Sequence, residues 1–206
     1  MNYPPLDEAD FAADPITQYR HWYAEAQARM GPAADALVVA TADTRGVPSA
    51  RVVLLRGVGD EGFTFFTNYD SAKGRDLADN PRAALVSHWH DLDRQVRVKG
   101  RVTKASREDS IAYWNTRPRP SRISAWASRQ SETIGSREQL EAAYAFQHDR
   151  FGDDGDVPLP PFWGGYVVTP DDVEFWQHRD DRLHDRLRYR REPAAGGRWV
   201  LERLQP

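Results

Sequence analysis

Between residues 36 and 68 the chain reads ALVVATA (36–42), DTRGVPSA (43–50), RVVLLRGV (51–58), GDEG (59–62) and FTFFTN (63–68). Three short β-branched and aromatic runs alternate with turn-rich segments, the pattern of an antiparallel meander. Working outward, strands are expected at Arg82–Trp89 and Gln95–Thr103, then near Tyr166–Val168 and Val173–Trp176. Arg182–Arg191 and Arg198–Leu204 read as a hairpin turning at Ala194-Ala195-Gly196-Gly197. Helices fall around this set. Asp14-Pro15 supplies an N-cap and a first-turn proline for a helix with Ile16, Tyr19, Tyr23, Ala26 and Met30 on one face, ended by Gly31-Pro32. Ser71 caps a short helix to about Ala78. Ser106 opens one carrying Tyr113, Trp114 and Arg117, followed by a Pro-rich loop over Arg117–Ser121. Ser136 with Gln139 forms a capping box for a helix reaching Phe151. The class expected is α+β, an antiparallel β-barrel with peripheral helices forming a single domain over 1–206, with a loose N-terminal arm over about 1–13.

The chain has 206 residues, 40% hydrophobic and 29% charged, enough apolar material for a buried core. No apolar run reaches membrane-spanning length, and the N-terminus shows no basic-then-apolar leader, so no membrane association is expected. There is no Cys, which excludes disulfides and thiolate metal sites and is compatible with a reducing, cytoplasmic location. A net charge of −3 argues against a general nucleic-acid binder. Of 28 basic residues only Lys73, Lys99 and Lys104 are Lys; the rest are Arg, suited to two-pronged phosphate or carboxylate binding. No strand–Gly-rich-turn–helix unit supports a Rossmann or P-loop site.

Four segments concentrate the chemistry. In Arg182-Leu183-His184-Asp185-Arg186-Leu187-Arg188-Tyr189-Arg190 an extended backbone would put Arg182, His184, Arg186, Arg188 and Arg190 on one face. Such a row is either a solvated edge strand that deters aggregation or a phosphate site. Arg51 and Arg56 are five apart, so in a regular strand they face opposite sides, and each can serve a different anion. Ser71-Ala72-Lys73-Gly74 combines a capped helix start with a Lys, a weak phosphate motif by itself. Tyr113 and Arg117 share a helix face, and Ser121 can return to them from the following loop, together forming a phosphomonoester cradle. His88 and His90 lack a third ligand at convincing spacing, so no metal is expected.

Taken in order, RVVLL (51–55), FFTNY (65–69), RQVRV (94–98), RPRPS (117–121), AWASRQS (125–131), FWGGY (162–166) and the spaced EFWQ…RLHDR (174–177, 182–186) resemble the pyridoxine/pyridoxamine 5′-phosphate oxidase family over nearly the whole chain. The resemblance implies an FMN-binding split β-barrel working as a homodimer, with FMN between the subunits. It implies that Arg51, Val52, Val53, Leu54, Leu55, Arg56, Phe66, Thr67, Lys73, Gln95, Gln130, Ser131, Trp176 and Arg186 bind FMN. Arg56, Tyr113, Arg117 and Ser121 would hold a substrate phosphate. Arg182 and His184 would lie over the pyridine ring as the catalytic pair. The implied reaction is oxidation of pyridoxamine or pyridoxine 5′-phosphate by O2, giving pyridoxal 5′-phosphate and H2O2. The alternatives are a related FMN oxidase acting on another biosynthetic intermediate, such as a phenazine precursor, and a non-catalytic flavin- or pyridoxal-phosphate-binding module. This chain departs from the family at Arg56, where Lys is usual, at Ala72 and His178, and in a short arm that lacks the Arg and Tyr that often cover the active site in the family.

Overall fold

A computed structural model describes residues 3–192 and 197–206. The expected turn at 194–196 lies outside the described residues. Among the described residues nine strands form one antiparallel sheet, seven of them in the order β2 (Pro48–Leu54), β1 (Ala36–Ala42), β5 (Arg82–Trp89), β6 (Arg94–Lys104), β7 (Trp163–Gln177), β4 (Gly62–Asn68), β3 (Gly57–Gly59). Strand β8 (Asp185–Glu192) pairs with β7, and β9 (Arg198–Arg203) with β8.

The 15-residue β7 splits the sheet. Its first half pairs with β4 (Phe63 opposite Val168) and its second half with β8 (Asp172 opposite Arg190), while β6 follows it along the other side. Two separate strands, near Tyr166–Val168 and Val173–Trp176, are expected from sequence; they are one strand, with Pro170 inside it. The backbone accommodates it at a bulge, where the register with β6 shifts between Lys99 and Gly100. The expected strand over 51–58 does break. Leu55 donates its N–H to Asp35 (2.8 Å) and Arg56 to Thr64 (2.8 Å), so the chain kinks out of β2 and closes the barrel toward β3.

Inward residues of the strands meet α1 (Pro15–Met30), whose Asp14 cap accepts from Ile16 and Thr17. Tyr19, Trp22 and Ala26 are buried there, with Tyr19 edge-on to Phe63 at 4.7 Å. Helix α2 (Ala72–Asp79) lies as expected. The Pro-rich segment is not wholly a loop. Arg117 ends α3 (Arg107–Thr116), Pro118 caps α4 (Arg119–Ala127), and Pro120 sits in its first turn, where a missing N–H costs nothing. Helix α5 (Arg137–Phe151) keeps half of its capping box. Ser136 accepts from Gln139 N–H, but the Gln139 side chain accepts from Gly135 instead of Ser136. No described helix is long and apolar enough to cross a membrane.

The row of five cations shortens to three. The strand begins only at Asp185; Arg182 sits in the preceding turn at φ 62°, and His184 precedes the strand. Arg186, Arg188 and Arg190 do share a face, opposite the buried Leu187 and Tyr189. Carboxylates meet them: Glu174 at 2.8 Å from Arg186, Glu202 at 2.9 Å from Arg188 Nε, and Glu202 again at 3.6 Å from Arg190. The row does not lie on a free edge, because β9 pairs beside β8, and β7 and β9 supply its counter-charges.

The N-terminal segment is docked, not loose. Pro4 O accepts from Gln177 (3.0 Å), Leu6 N–H donates to Asp185 (3.2 Å), Leu6 O accepts from Arg203 (2.6 Å), and Glu8 pairs with Arg203 (2.8 Å). Deleting residues 1–8 removes these partners and should destabilise by about 2 kcal/mol, lowering the melting temperature by about 4–8 °C. An unchanged thermal melt would show that the segment contributes nothing to stability.

Candidate functional site

Ser71 stops β4's continuation by capping α2, its Oγ accepting the Gly74 N–H. Lys73 therefore emerges from the first helical turn and folds back toward the sheet. Its Nζ donates to Thr67 Oγ1 (2.9 Å), Gln130 Oε1 (2.8 Å) and Ser71 Oγ (3.2 Å). The residue is only 7% exposed, and no carboxylate pairs with it among the described residues. Burial, then the charge of Arg51, pushes its pKa down to about 8. Arg51 on β2 reaches Thr41 of β1 (2.7 Å) and Ser49 of its own strand (2.6 Å), with Asp76 at 4.0 Å. Burial lowers its pKa as well. Two cations held mainly by neutral oxygens form a pole suited to a phosphate.

A second pole lies where β2 kinks and α3 gives way to α4. Arg56, Tyr113, Arg117 and Ser121 all border a cavity there; spacing grouped the last three and the resemblance added Arg56, although Arg117 sits just past the helix. Trp163 and Trp114 flank the Arg117 guanidinium at 4.7 and 5.1 Å. Its Nη1 is buried with no hydrogen-bond partner among the described residues, and burial lowers its pKa. A buried donor without an acceptor is costly unless a ligand supplies one.

Both poles open into one cavity of ≈ 760 Å³. Phe66 stacks on Tyr113 (4.0 Å, 17°) and on Trp163 (5.6 Å, 13°), and all three rings line the cavity. Val52, Val53 and Leu54 line the cavity from β2, and Thr67 and Gln130 from the Lys73 side. Arg51 and Arg56 thus face the same space, not opposite sides. The kink at Leu55 resets the alternation, and Leu55 itself turns into the core at 2% exposure.

The remaining candidates gather elsewhere. Gln95, Trp176 and Arg186 are consecutive partners across β6, β7 and β8. His184 lies beside them, its ring 4.7 Å from that of Trp176. Its Nδ1 accepts the Arg179 N–H (3.1 Å), which puts the neutral ring's proton on Nε2. Slight burial, then His178 and Arg182, lower its pKa. None of these residues, nor Arg182, borders the cavity within one chain. Ser131, at φ 75°, lines a neighbouring hollow with Gln130.

Sequence reasoning missed Trp163, Asn68 and Asp35. Trp163 carried a signal in the glycine pair after it. A side chain at Gly164 would meet the Tyr69 hydroxyl at 2.1 Å, and one at Gly165 the Phe66 ring at 2.9 Å, so β7 runs unusually close to the site.

The profile described as pyridoxamine 5′-phosphate oxidase matches residues 18–145, and that of the pyridoxine 5′-phosphate oxidase C-terminal dimerisation region matches 163–206. The chain is 53% identical over 201 residues to a pyridoxine/pyridoxamine 5′-phosphate oxidase of Burkholderia multivorans, covering 98% of this chain and 93% of that one. It is 51% identical to the same-named protein of Cupriavidus taiwanensis, with the same coverage. Among solved structures, PhzG of Burkholderia lata in complex with tetrahydrophenazine-1-carboxylic acid superposes with a TM-score of 0.89 at 32% identity, covering 98% of both chains. A pyridoxamine 5′-phosphate oxidase-related, FMN-binding protein of Nostoc punctiforme shares the fold, with a TM-score of 0.74 at 18% identity over 94% of this chain and 98% of that one. The split β-barrel and these matches place the chain in the pyridoxamine 5′-phosphate oxidase family, as an oxidase of that kind.

Proposed function

We propose that the whole chain acts as one FMN-dependent oxidase unit, converting pyridoxamine or pyridoxine 5′-phosphate to pyridoxal 5′-phosphate with O2 as acceptor. The observation that carries this reading is the pair of cationic poles opening into one cavity that the stacked rings of Phe66, Tyr113 and Trp163 also line. One pole suits the phosphate of a flavin nucleotide and the other the phosphate of a small aromatic substrate. The buried, carboxylate-free Lys73 and the unpartnered Arg117 Nη1 support the fit.

Bound FMN would supply the two-electron acceptor and its reoxidation by O2 to H2O2. Lys73, Arg51, Thr67 and Gln130 would hold its phosphate. Arg56, Tyr113, Arg117 and Ser121 would anchor the substrate, fixing the distance from its phosphate to the carbon that is oxidised. Gln95, Trp176, Arg182, His184 and Arg186 enter this scheme from a second subunit. All but Gln95 fall in the stretch matching the dimerisation region, and Val52 and Leu54 beside the cavity are 66% and 45% exposed, an apolar edge for a homodimer with FMN at its interface. There His184 and Arg182 would orient the substrate ring.

Purified protein with FMN and pyridoxamine 5′-phosphate should yield pyridoxal 5′-phosphate absorbance and H2O2; neither product would refute the reading. Arg117→Ala should raise KM about tenfold with kcat little changed, because the lost interaction is ground-state anchoring. An unchanged KM would place the substrate phosphate elsewhere.

A second reading, oxidation of a carboxylated phenazine precursor, draws on the resemblance to PhzG and on Asp35, which pairs with Arg56 and reduces the charge of the substrate pole. Turnover of tetrahydrophenazine-1-carboxylic acid but not of the B6 phosphate would favour it.

A further inference from the structure

Arg56 is held from outside the cavity. Its Nη1 donates to Asp35 Oδ2 at 2.9 Å, and Asp35 Oδ1 accepts the Tyr23 hydroxyl at 2.7 Å. Tyr23 is anchored in turn, its ring stacked 6.3 Å from Trp89 and tilted against Tyr19 at 5.8 Å in the core. Burial, followed by the Asp35 hydrogen bond, raises the Tyr23 pKa, so it stays a donor. The backbone repeats the grip, since the Asp35 carbonyl accepts the N–H of Leu55. One residue thus fixes both the kink that closes the barrel and the side chain that follows it. Asp35 does not border the cavity, whereas Arg56 does. Apart from the Asp35 bond, the guanidinium makes no hydrogen bond among the described residues, and its Cζ lies 6.0 Å from the Tyr113 ring centroid.

We infer that Asp35 is a positioning residue for the substrate-anion pole: Tyr23 and Asp35 hold Arg56 by one edge of its guanidinium, leaving the other edge for the substrate's phosphate. The inference rests on the function proposed above. Arginine suits this role because a planar fork with five donors can serve two anions on two edges. Lysine carries a single point charge, and a carboxylate at this distance would claim it. The same carboxylate therefore assists an arginine at position 56 and would compete with the substrate for a lysine there.

The consequence is a reversal of sign that a purely structural role for Asp35 would not produce. With Arg56 present, Asp35→Ala should raise KM for pyridoxamine 5′-phosphate about fivefold to tenfold, with kcat within about twofold. Asp35→Asn, which keeps an acceptor for the guanidinium, should shift KM by no more than about twofold. Arg56→Lys alone should raise KM about tenfold, and adding Asp35→Asn to it should restore most of that loss. FMN-loaded protein is used throughout, and melting temperatures identify any variant that fails to fold, for which Asp35→Asn serves as the second probe.

A rise with Asp35→Ala together with rescue of Arg56→Lys supports the inference. A fall or no change in KM with Asp35→Ala, or failure of Asp35→Asn to rescue Arg56→Lys, overturns it. If the wild-type holoenzyme does not turn over pyridoxamine 5′-phosphate, the functional reading fails by itself. The same variants are then compared by calorimetric titration of the FMN-loaded protein with inorganic phosphate. The same pattern in Kd supports the positioning role, and its absence overturns it.

Discussion

Lys73→Met is expected to weaken FMN binding about a hundredfold while making the FMN-free protein more stable. The opposite signs have one cause. Lys73 is buried among neutral oxygens, so its charge is only partly compensated until an anion arrives. A charge-assisted contact to a phosphate in such a setting contributes about 3 kcal/mol, close to two powers of ten in Kd. Removing the ammonium from the empty site relieves a desolvation cost. It leaves few broken partnerships, because Thr67 also donates to Gln130 (3.1 Å) and Ser71 to Asn68 O (2.7 Å). A gain of about 1 kcal/mol, or about 2–4 °C, is expected for the apo form.

The same logic sets a pH dependence. The folded-state pKa of Lys73 is about 8 against an ordinary 10.5, so the unfolded chain holds the proton more tightly. The cost to the apo-protein is fully present below pH 8 and is relieved as the pH rises from about 8 to about 10.5. Apo melting of wild type should approach that of the variant across this window. Retained flavin absorbance after gel filtration, or an apo variant less stable than wild type, would contradict the assignment of Lys73 as an anion ligand.

Gly74→Ala is expected to cost about 3 kcal/mol or more, lowering the melting temperature by about 6–12 °C. A Cβ at Gly74 would stand 1.9 Å from the Tyr69 carbonyl oxygen, and backbone at the end of β4 cannot yield as a flexible side chain would. Because Gly74 also donates to the Ser71 cap, displacing it should move the neighbouring Lys73 and weaken FMN binding. A variant that melts like wild type would mean the approach of α2 to Tyr69 is looser than this geometry.

The strands and helices were legible where period and caps agreed. Asp14-Pro15 marked α1, Ser71 marked α2, and FTFFTN marked β4. Tyr113, Arg117 and Ser121 were legible as a group because they lie close together in sequence, whereas Arg56 joined them only through the family resemblance. What failed depended on tertiary hydrogen bonds. Strict alternation put Arg51 and Arg56 on opposite sides, but two backbone bonds, to Asp35 and Thr64, kink the strand between them. The cationic row of β8 looked open because its counter-ions, Glu174 and Glu202, come from strands placed beside it only by the fold. Proline misled at Pro118–Pro120, where a helix's first turn absorbs it, and the two strands expected over 166–176 are one that continues past Pro170 through a bulge.

The long strand shared by both halves of the sheet also bears on how the chain is made. Phe63 waits for Val168, and Val96 for Phe175, so two strands emerge from the ribosome well before the partner that covers their free edges. Until about residue 177 is available, β4 and β6 offer unpaired backbone to any passing chain, and no local contact can substitute. Newly synthesised copies are therefore most exposed to aggregation late in elongation, and slowing translation between α5 and β7 should lower soluble yield more than slowing it anywhere earlier.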